Sequence, residues 1–238
     1  MTDRRGKPLE GFSDVSHQMP LRQRWGGWYV TGKHGQATHL GNIAGREAIE
    51  RRRTDPSEMG NQLRLPEMVD AHLYPAMHSD LVAHLVLDHQ VRAQNLMIRV
   101  GFEERLGSKS DAEDRLFRYL LFLDEWHWAE PFSGTSGYRR WFDSQGPRTD
   151  AGQSLRAFQL ETRLFRHRFS YLVYSPLFAG LPPPVLTRLG NRWWDFLTDP
   201  RPQVSGVPLD ERRAIVQILR ETRAAVPRAA FPQLWETE

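Results

Sequence analysis

A chain of 238 residues, 39% hydrophobic and 26% charged, has a globular composition and is long enough to bury a sizeable core. It contains no cysteine, which excludes disulfides, thiolate zinc sites, cysteine nucleophiles, iron–sulfur clusters and covalent C-x-x-C-H haem attachment within this chain. The net charge of +3 arises from 32 basic and 29 acidic residues, too slight an excess, and too dispersed, for a nucleic-acid-binding face.

Residues 1–24 read as an irregular polar arm without the apolar core of a secretion signal, and no later stretch approaches 18 uncharged apolar residues, so no membrane span is expected. Residues 25–42 form a glycine-rich, aromatic segment that predicts a short strand over Trp28–Thr31 and a hairpin turn near Gly32–Gly35. Residues 43–65 predict a charged loop carrying a short helix, with Arg51-Arg52-Arg53 as a solvated run. Ser79 is placed to cap a first long helix, with Leu81, Val82, Leu85, His89 and Leu96 at helical spacing up to Val100, before Gly101. Ser110 and Glu113 match a capping box for a second helix, whose Leu116, Leu120 and Leu123 stripe runs toward Trp126 and is stopped by Pro131.

Residues 131–153 predict a loop pinned by Tyr138, Trp141 and Phe142. Ser154 is read as the cap of a third helix with Phe158, Phe165, Phe169 and Leu172 on one face. Pro182-Pro183-Pro184 opens a fourth and Asp210 a fifth. No repeat, linker or second compositional regime interrupts 25–238, so the expectation is a mainly α fold: one helical domain with a glycine-rich hairpin or loop near its start.

Nine histidines are the candidates for chemistry. His78 and His89 stand eleven residues apart, which on one continuous helix brings them to nearly the same face, beside Leu81, Val82 and Leu85. A neutral imidazole there is either a satisfied core residue or an axial or metal ligand. His84 falls on a different face, expected to be exposed. His34 and His39 lie in the glycine-rich segment, where a turn can aim them, and His34, His39 and His89 make a candidate metal set. That segment has neither Walker nor G-x-G-x-x-G spacing. Asp124-Glu125 beside Trp126-His127 read as a helix end rather than an acid–base pair, and Ser133, Ser136 and Ser175 lack a nucleophile elbow. Arg163, Arg166 and Arg168 with His167 could hold an anionic group such as a propionate. With no distal acid–base pair evident, no catalytic activity is assigned.

The runs Arg24-Trp25-Gly26-Gly27-Trp28-Tyr29-Val30-Thr31-Gly32, His34-Gly35 and His39-Leu40-Gly41-Asn42 resemble the C-terminal region of large bacterial proteins described as cytochrome c-like. The resemblance continues through His78 to Ala83, Val86 to Gln90, Gly134-Thr135-Ser136-Gly137, Thr162 to Phe165 and Leu181-Pro182, to Arg213-Ala214-Ile215. Relatives of that kind carry an upstream c-type haem motif, absent from this chain, and are exported to the periplasm or cell surface. The resemblance therefore implies a haem-associated electron-transfer module. Its partner would be a haem-bearing protein or upstream segment, or it would hold a haem noncovalently. His34, His39, His78 and His89 would be the candidate axial ligands, Trp25, Trp28 and Tyr29 the walls of the slot, and Arg163 a propionate partner. The residues leave two other readings open: a histidine-ligated metal protein and a non-catalytic protein-interaction domain.

Overall fold

The apolar positions that recur every three or four residues from Leu81 onward bury one side of a long helix, α1 (Leu81–Leu106). The computed structural model describes residues 15–42, 61–65, 70–73, 76–201 and 206–236. The Arg51–Arg53 run and the short helix expected within 43–65 lie outside the described residues, apart from 61–65, which are irregular. Among the described residues the fold is mainly α, with six α-helices and one two-stranded antiparallel sheet. The chain forms two compact units. The first comprises the described residues of 1–89 with 125–141 and 159–164; the second comprises 90–124, 142–158 and the described residues of 165–238.

In the first unit, β1 (Gly32–Lys33) pairs with β2 (Ser133–Gly134), so that Gly32 faces Gly134 and Lys33 faces Ser133. The strand expected over Trp28–Thr31, with a local hairpin partner, is thus displaced. The Trp28 N–H closes a turn onto the Trp25 carbonyl (3.0 Å), and the Asn42 side chain takes both the N–H and the carbonyl of Val30 (2.6 and 2.8 Å). The backbone groups of Trp28 and Val30 are therefore already engaged and do not enter a hairpin ladder. Glycine is required at position 32, where a Cβ would overlap the Leu81 side chain and crowd the Ser133 carbonyl.

The start of α1 is set by Asp80 rather than by the expected Ser79. One Asp80 oxygen accepts from the N–H groups of Val82 (2.8 Å) and Ala83 (3.2 Å), the capping geometry of a helix N-terminus. The other accepts from the N–H groups of Thr135 (2.9 Å) and Ser136 (2.8 Å) and from the Ser136 hydroxyl (2.7 Å). The Gly-Thr-Ser-Gly run is thus a cradle for a carboxylate of the chain itself. Gly134 lacks a Cβ because one would collide with that carboxylate. The helix passes through Gly101, where it was expected to stop, and ends at Gly107. There φ is +65°, and Ser108 and Gly107 donate back to the carbonyls of Glu103 (2.9 Å) and Glu104 (3.3 Å) in a Schellman closure.

In the second unit, α2 (Ala112–Leu120) stops eleven residues before Pro131, because the chain turns at Phe122 with φ +51°. Ser110 does accept from the Ala112 N–H (3.0 Å), but its hydroxyl donates to Glu103 (2.7 Å) rather than entering a box with Glu113. Part of the expected loop 131–153 forms α3 (Tyr138–Ser144). The helix expected from Ser154 does not form. Phe158 and Phe165 make an isolated antiparallel bridge, and the Arg166 N–H donates to the Ala157 carbonyl (2.8 Å). Within the first unit, the Gln159 side chain accepts from the N–H groups of Glu161, Thr162 and Arg163 (2.9 to 3.0 Å), and Leu160 has φ +59°. A side chain that ties its own downstream backbone competes with the helix, and here it wins.

Helices α4 (Pro176–Ala179), α5 (Pro183–Thr198) and α6 (Leu209–Glu221) follow, α5 opening on prolines as expected. Their core centres on the fully buried Trp193, which meets the rings of Phe117, Phe169, Phe178 and Phe231 and donates its indole N–H to the Phe117 carbonyl (3.1 Å). Gly190 lets α5 close onto the Ala230 backbone, which a Cβ would overlap.

Asp80→Ala leaves four backbone N–H groups without their acceptor, so urea unfolding should show a loss on the order of 3 kcal/mol or more. In the other unit, Gly190→Ala should lower Tm by several degrees, since the obstructing atom is backbone and cannot rotate away.

A histidine and tryptophan cluster as candidate functional site

The site lies within the first unit and starts from a buried charge. Arg24 is 1% exposed at the end of a 3-10 turn (Leu21–Gln23). Its guanidinium donates to the carbonyls of Met19 (2.7 Å from Nε) and His17 (3.1 Å), approaches Asp88 on α1 at 3.4 Å, and lies over the Trp126 ring. Asp88 also accepts the indole N–H of Trp25 (3.0 Å). A charge this enclosed is retained only with its hydrogen bonds made, and Arg24 makes them mostly to backbone. Burial nevertheless outweighs the adjacent guanidinium, and the Asp88 carboxyl is pushed up to about 6.

Two pairs of imidazoles flank this centre. His17 and His89, both buried, face each other with Nδ1 to Nδ1 at 2.9 Å and ring centroids 5.0 Å apart. One ring must donate and the other accept, so the accepting ring is neutral. Burial lowers His89 to about 3 and holds His17 well below the usual imidazole range; the facing His89 and the Arg24 charge depress His17 further. His34 and His39, also buried, meet edge to face with centroids 5.0 Å apart. His39 Nδ1 accepts the Gly41 N–H (2.9 Å), which assigns its proton to Nε2 in the neutral form, and its ring meets Trp25. The His34 ring meets Phe132.

His84, read as exposed from its helical position, is half-buried between Trp25 and Trp28 and shares a hydrogen bond of 2.8 Å with the Ser79 hydroxyl. Burial lowers its pKa as well. Ser79 and His84 have nucleophile and base spacing. The N–H groups of Ser79 and Leu81 are engaged by Thr31 and those of Val82 and Ala83 by Asp80, so these four are not free to stabilise an oxyanion.

The sequence-predicted residues are thus only partly brought together. His34, His39 and Trp25 meet; His89 is engaged by His17. His78 precedes the first turn of α1 and is exposed, so its eleven-residue spacing from His89 is not helical. Trp28 is 65% exposed at the rim and Tyr29 is half-buried. Arg163 is fixed through its backbone in the 159–164 turn, and in the second unit Arg168 is committed to Glu211 (2.7 Å). Asp124 is ion-paired to Arg118, Glu125 accepts the Leu164 N–H and His127 is exposed, an arrangement without an acid–base pair.

Sequence reasoning missed His17, Arg24, His84 and Asp88. Only the adjacency of Asp88 to His89 hinted that a charge borders the apolar face of α1. Among the described residues, no group of three or more histidine or carboxylate side chains is placed to hold a metal ion. Neither pair stands as the two axial imidazoles of one haem would. Axial imidazoles stand apart by two metal–nitrogen bonds of about 2 Å each, whereas His17 and His89 are in direct hydrogen-bond contact. His34 and His39 meet edge to face, with no flat slot between them. Comparison with protein-family models, curated proteins and solved structures finds no match to this chain.

The buried imidazoles set the pH response. Below about pH 6.5 the unfolded chain binds protons at His17 and His89 that the folded chain refuses, so stability falls with pH. Asp88 opposes this between its ordinary value and about 6, because the folded chain keeps its proton longer. With His84 lowered as well, three imidazoles against one carboxyl should leave a net loss of stability as the pH falls from about 5.5 to 4.5. Urea unfolding across that range measures it, and His89→Leu should flatten the slope.

Proposed function

We propose that the chain is a non-catalytic interaction module whose contact surface is the rim around Trp28. The observation that carries this reading is a large indole, 65% exposed, on a backbone that cannot yield. Trp28 sits in a turn closed by its own N–H onto Trp25, its carbonyl is bound by the Asn42 N–H (2.8 Å), and its ring leans on His84. A tryptophan presented in this way loses little conformational freedom on binding and is the commonest kind of interface anchor.

The buried histidines then serve the scaffold. His39 braces Trp25 and Gly41, and His17 with His89 closes residues 16–24 onto α1. The partner class follows from the resemblance: a haem-bearing protein, or an upstream haem-bearing segment, in a periplasmic or extracellular setting. Electron transfer would belong to that partner, with this chain, read as one functional module over 25–238, supplying the docking surface.

Purified alone, the protein should be colourless. Haemin should produce no shifted Soret band, and melting should be indifferent to haemin and to EDTA. A red-shifted Soret band that His34→Ala or His89→Ala removes would overturn the reading in favour of haem ligation. Trp28→Ala should move Tm by less than about 2 °C while weakening association with the co-expressed haem-bearing segment on the order of tenfold or more.

A further inference from the structure

Residues 16–24 cross the first unit as a strap held mainly by polar anchors. Its buried side chains are Ser16, His17, Leu21 and Arg24, of which Leu21 alone is apolar. His17 meets His89 of α1 through Nδ1 to Nδ1 (2.9 Å), and Arg24 approaches Asp88 of α1 (3.4 Å). The body of the unit reaches back to the strap through the Trp126 N–H, which donates to the His17 carbonyl (2.9 Å), and the Leu40 N–H, which donates to the Arg24 carbonyl (2.8 Å). The strap ends at Trp25, where the backbone turns sharply with φ +65° and the indole is bonded to Asp88. A segment with so little buried apolar surface opens at a lower cost than the core around it.

The imidazole pair decides what opens it. A hydrogen bond between the two Nδ1 atoms needs a lone pair on one of them, and protonation of both rings replaces it with two N–H groups aimed at each other. Protonation of one ring places a second cation beside the Arg24 guanidinium, where both are almost wholly enclosed. Nearby carboxylates are engaged elsewhere: Asp88 by Arg24 and the Trp25 indole, and Glu125, next to Trp126, by the Leu164 N–H (2.9 Å). Arg92 follows one turn further along α1 and is another cation rather than a counter-charge. His84, one turn before Asp88, has its partners Trp25, Trp28 and Ser79 outside the strap.

We infer that residues 16–24 are an acid-released strap: protonation of the His17–His89 pair frees the segment from α1 and uncovers the His89 side of that helix while the helix itself stays folded. Burial sets the direction, since it holds both imidazoles below their ordinary range in the closed form and the released form takes up protons there. Asp88, pushed up to about 6, works in the opposite sense, and one carboxyl against two imidazoles leaves opening with a net uptake of about one proton. Release does not depend on what binds at Trp28.

Hydrogen exchange on the full-length chain, followed by NMR and corrected for the intrinsic pH dependence of amide exchange, reads this opening, because the Trp126 and Leu40 amides donate to strap carbonyls. Their protection should fall roughly tenfold per pH unit between about pH 6 and 5, while the Val86 amide within α1 stays at least about tenfold better protected. Asp88→Asn removes the opposing carboxyl and should make the fall severalfold steeper. His17→Phe/His89→Leu should abolish the fall or reverse its sign, and if that variant does not fold, Asp88→Asn decides. Protection of Trp126 and Leu40 that is indifferent to pH overturns the inference, as does an unchanged slope in Asp88→Asn. Loss of their protection in step with that of Val86, and to the same level, also overturns it and assigns the response to unfolding of the whole unit.

Discussion

The Asp80 carboxylate joins segments that the sequence keeps far apart. It sits at the first turn of α1, yet three of the donors it accepts come from Thr135 and Ser136, and residue 80 itself bridges Thr31. Through it, the N-terminus of the longest helix, the glycine-rich segment and the loop after β2 share one anchoring group. Helix polarity favours an anion at that end, and the cradle supplies the remaining donors, so one ionised group satisfies both demands. The Trp28 turn, the His39 bend and the entry to α1 take their positions from it.

Arg24 is the complementary case, a cation with almost no access to water. Its donors go mainly to carbonyls of residues 17 and 19, so it folds its own upstream segment around itself and then rests on Asp88 and Trp126. The tryptophan between that charge and the rim links the two halves of the site. Trp25 hands its indole N–H to Asp88 and its faces to His39 and His84.

Mainly helical character, the long helix near Ser79, the proline-initiated α5 and the helix beginning around Asp210 were all legible in the sequence, because each rests on local periodicity and local capping chemistry. What was not legible depends on partners remote in sequence. The strand at Gly32 is defined by residue 134, and the histidine pairing joins residues 17 and 89. The false helix at 154–172 had the right spacing of phenylalanines, but Gln159 and the positive φ of Leu160 redirect the backbone, and no apolar pattern records that. Of the candidate site, His34, His39 and Trp25 were identifiable from their glycine-rich context. Arg24 and Asp88 resembled ordinary surface charges, since burial of a charge leaves no periodic trace.

The tie between β1 and β2 also bears on how the first unit folds. Gly32 must find Gly134 across a hundred intervening residues, Arg24 must find Asp88 across more than sixty, and Asp80 must find Ser136 across more than fifty. None of these closures is rewarded until the loop between its ends has been restricted. By contrast, α1 needs only near neighbours to form. In kinetic terms the helix is the early template and the aromatic cluster a late product, assembled from long-range contacts whose sequence separation slows folding. The rim that presents Trp28 is therefore among the last surfaces of the first unit to mature.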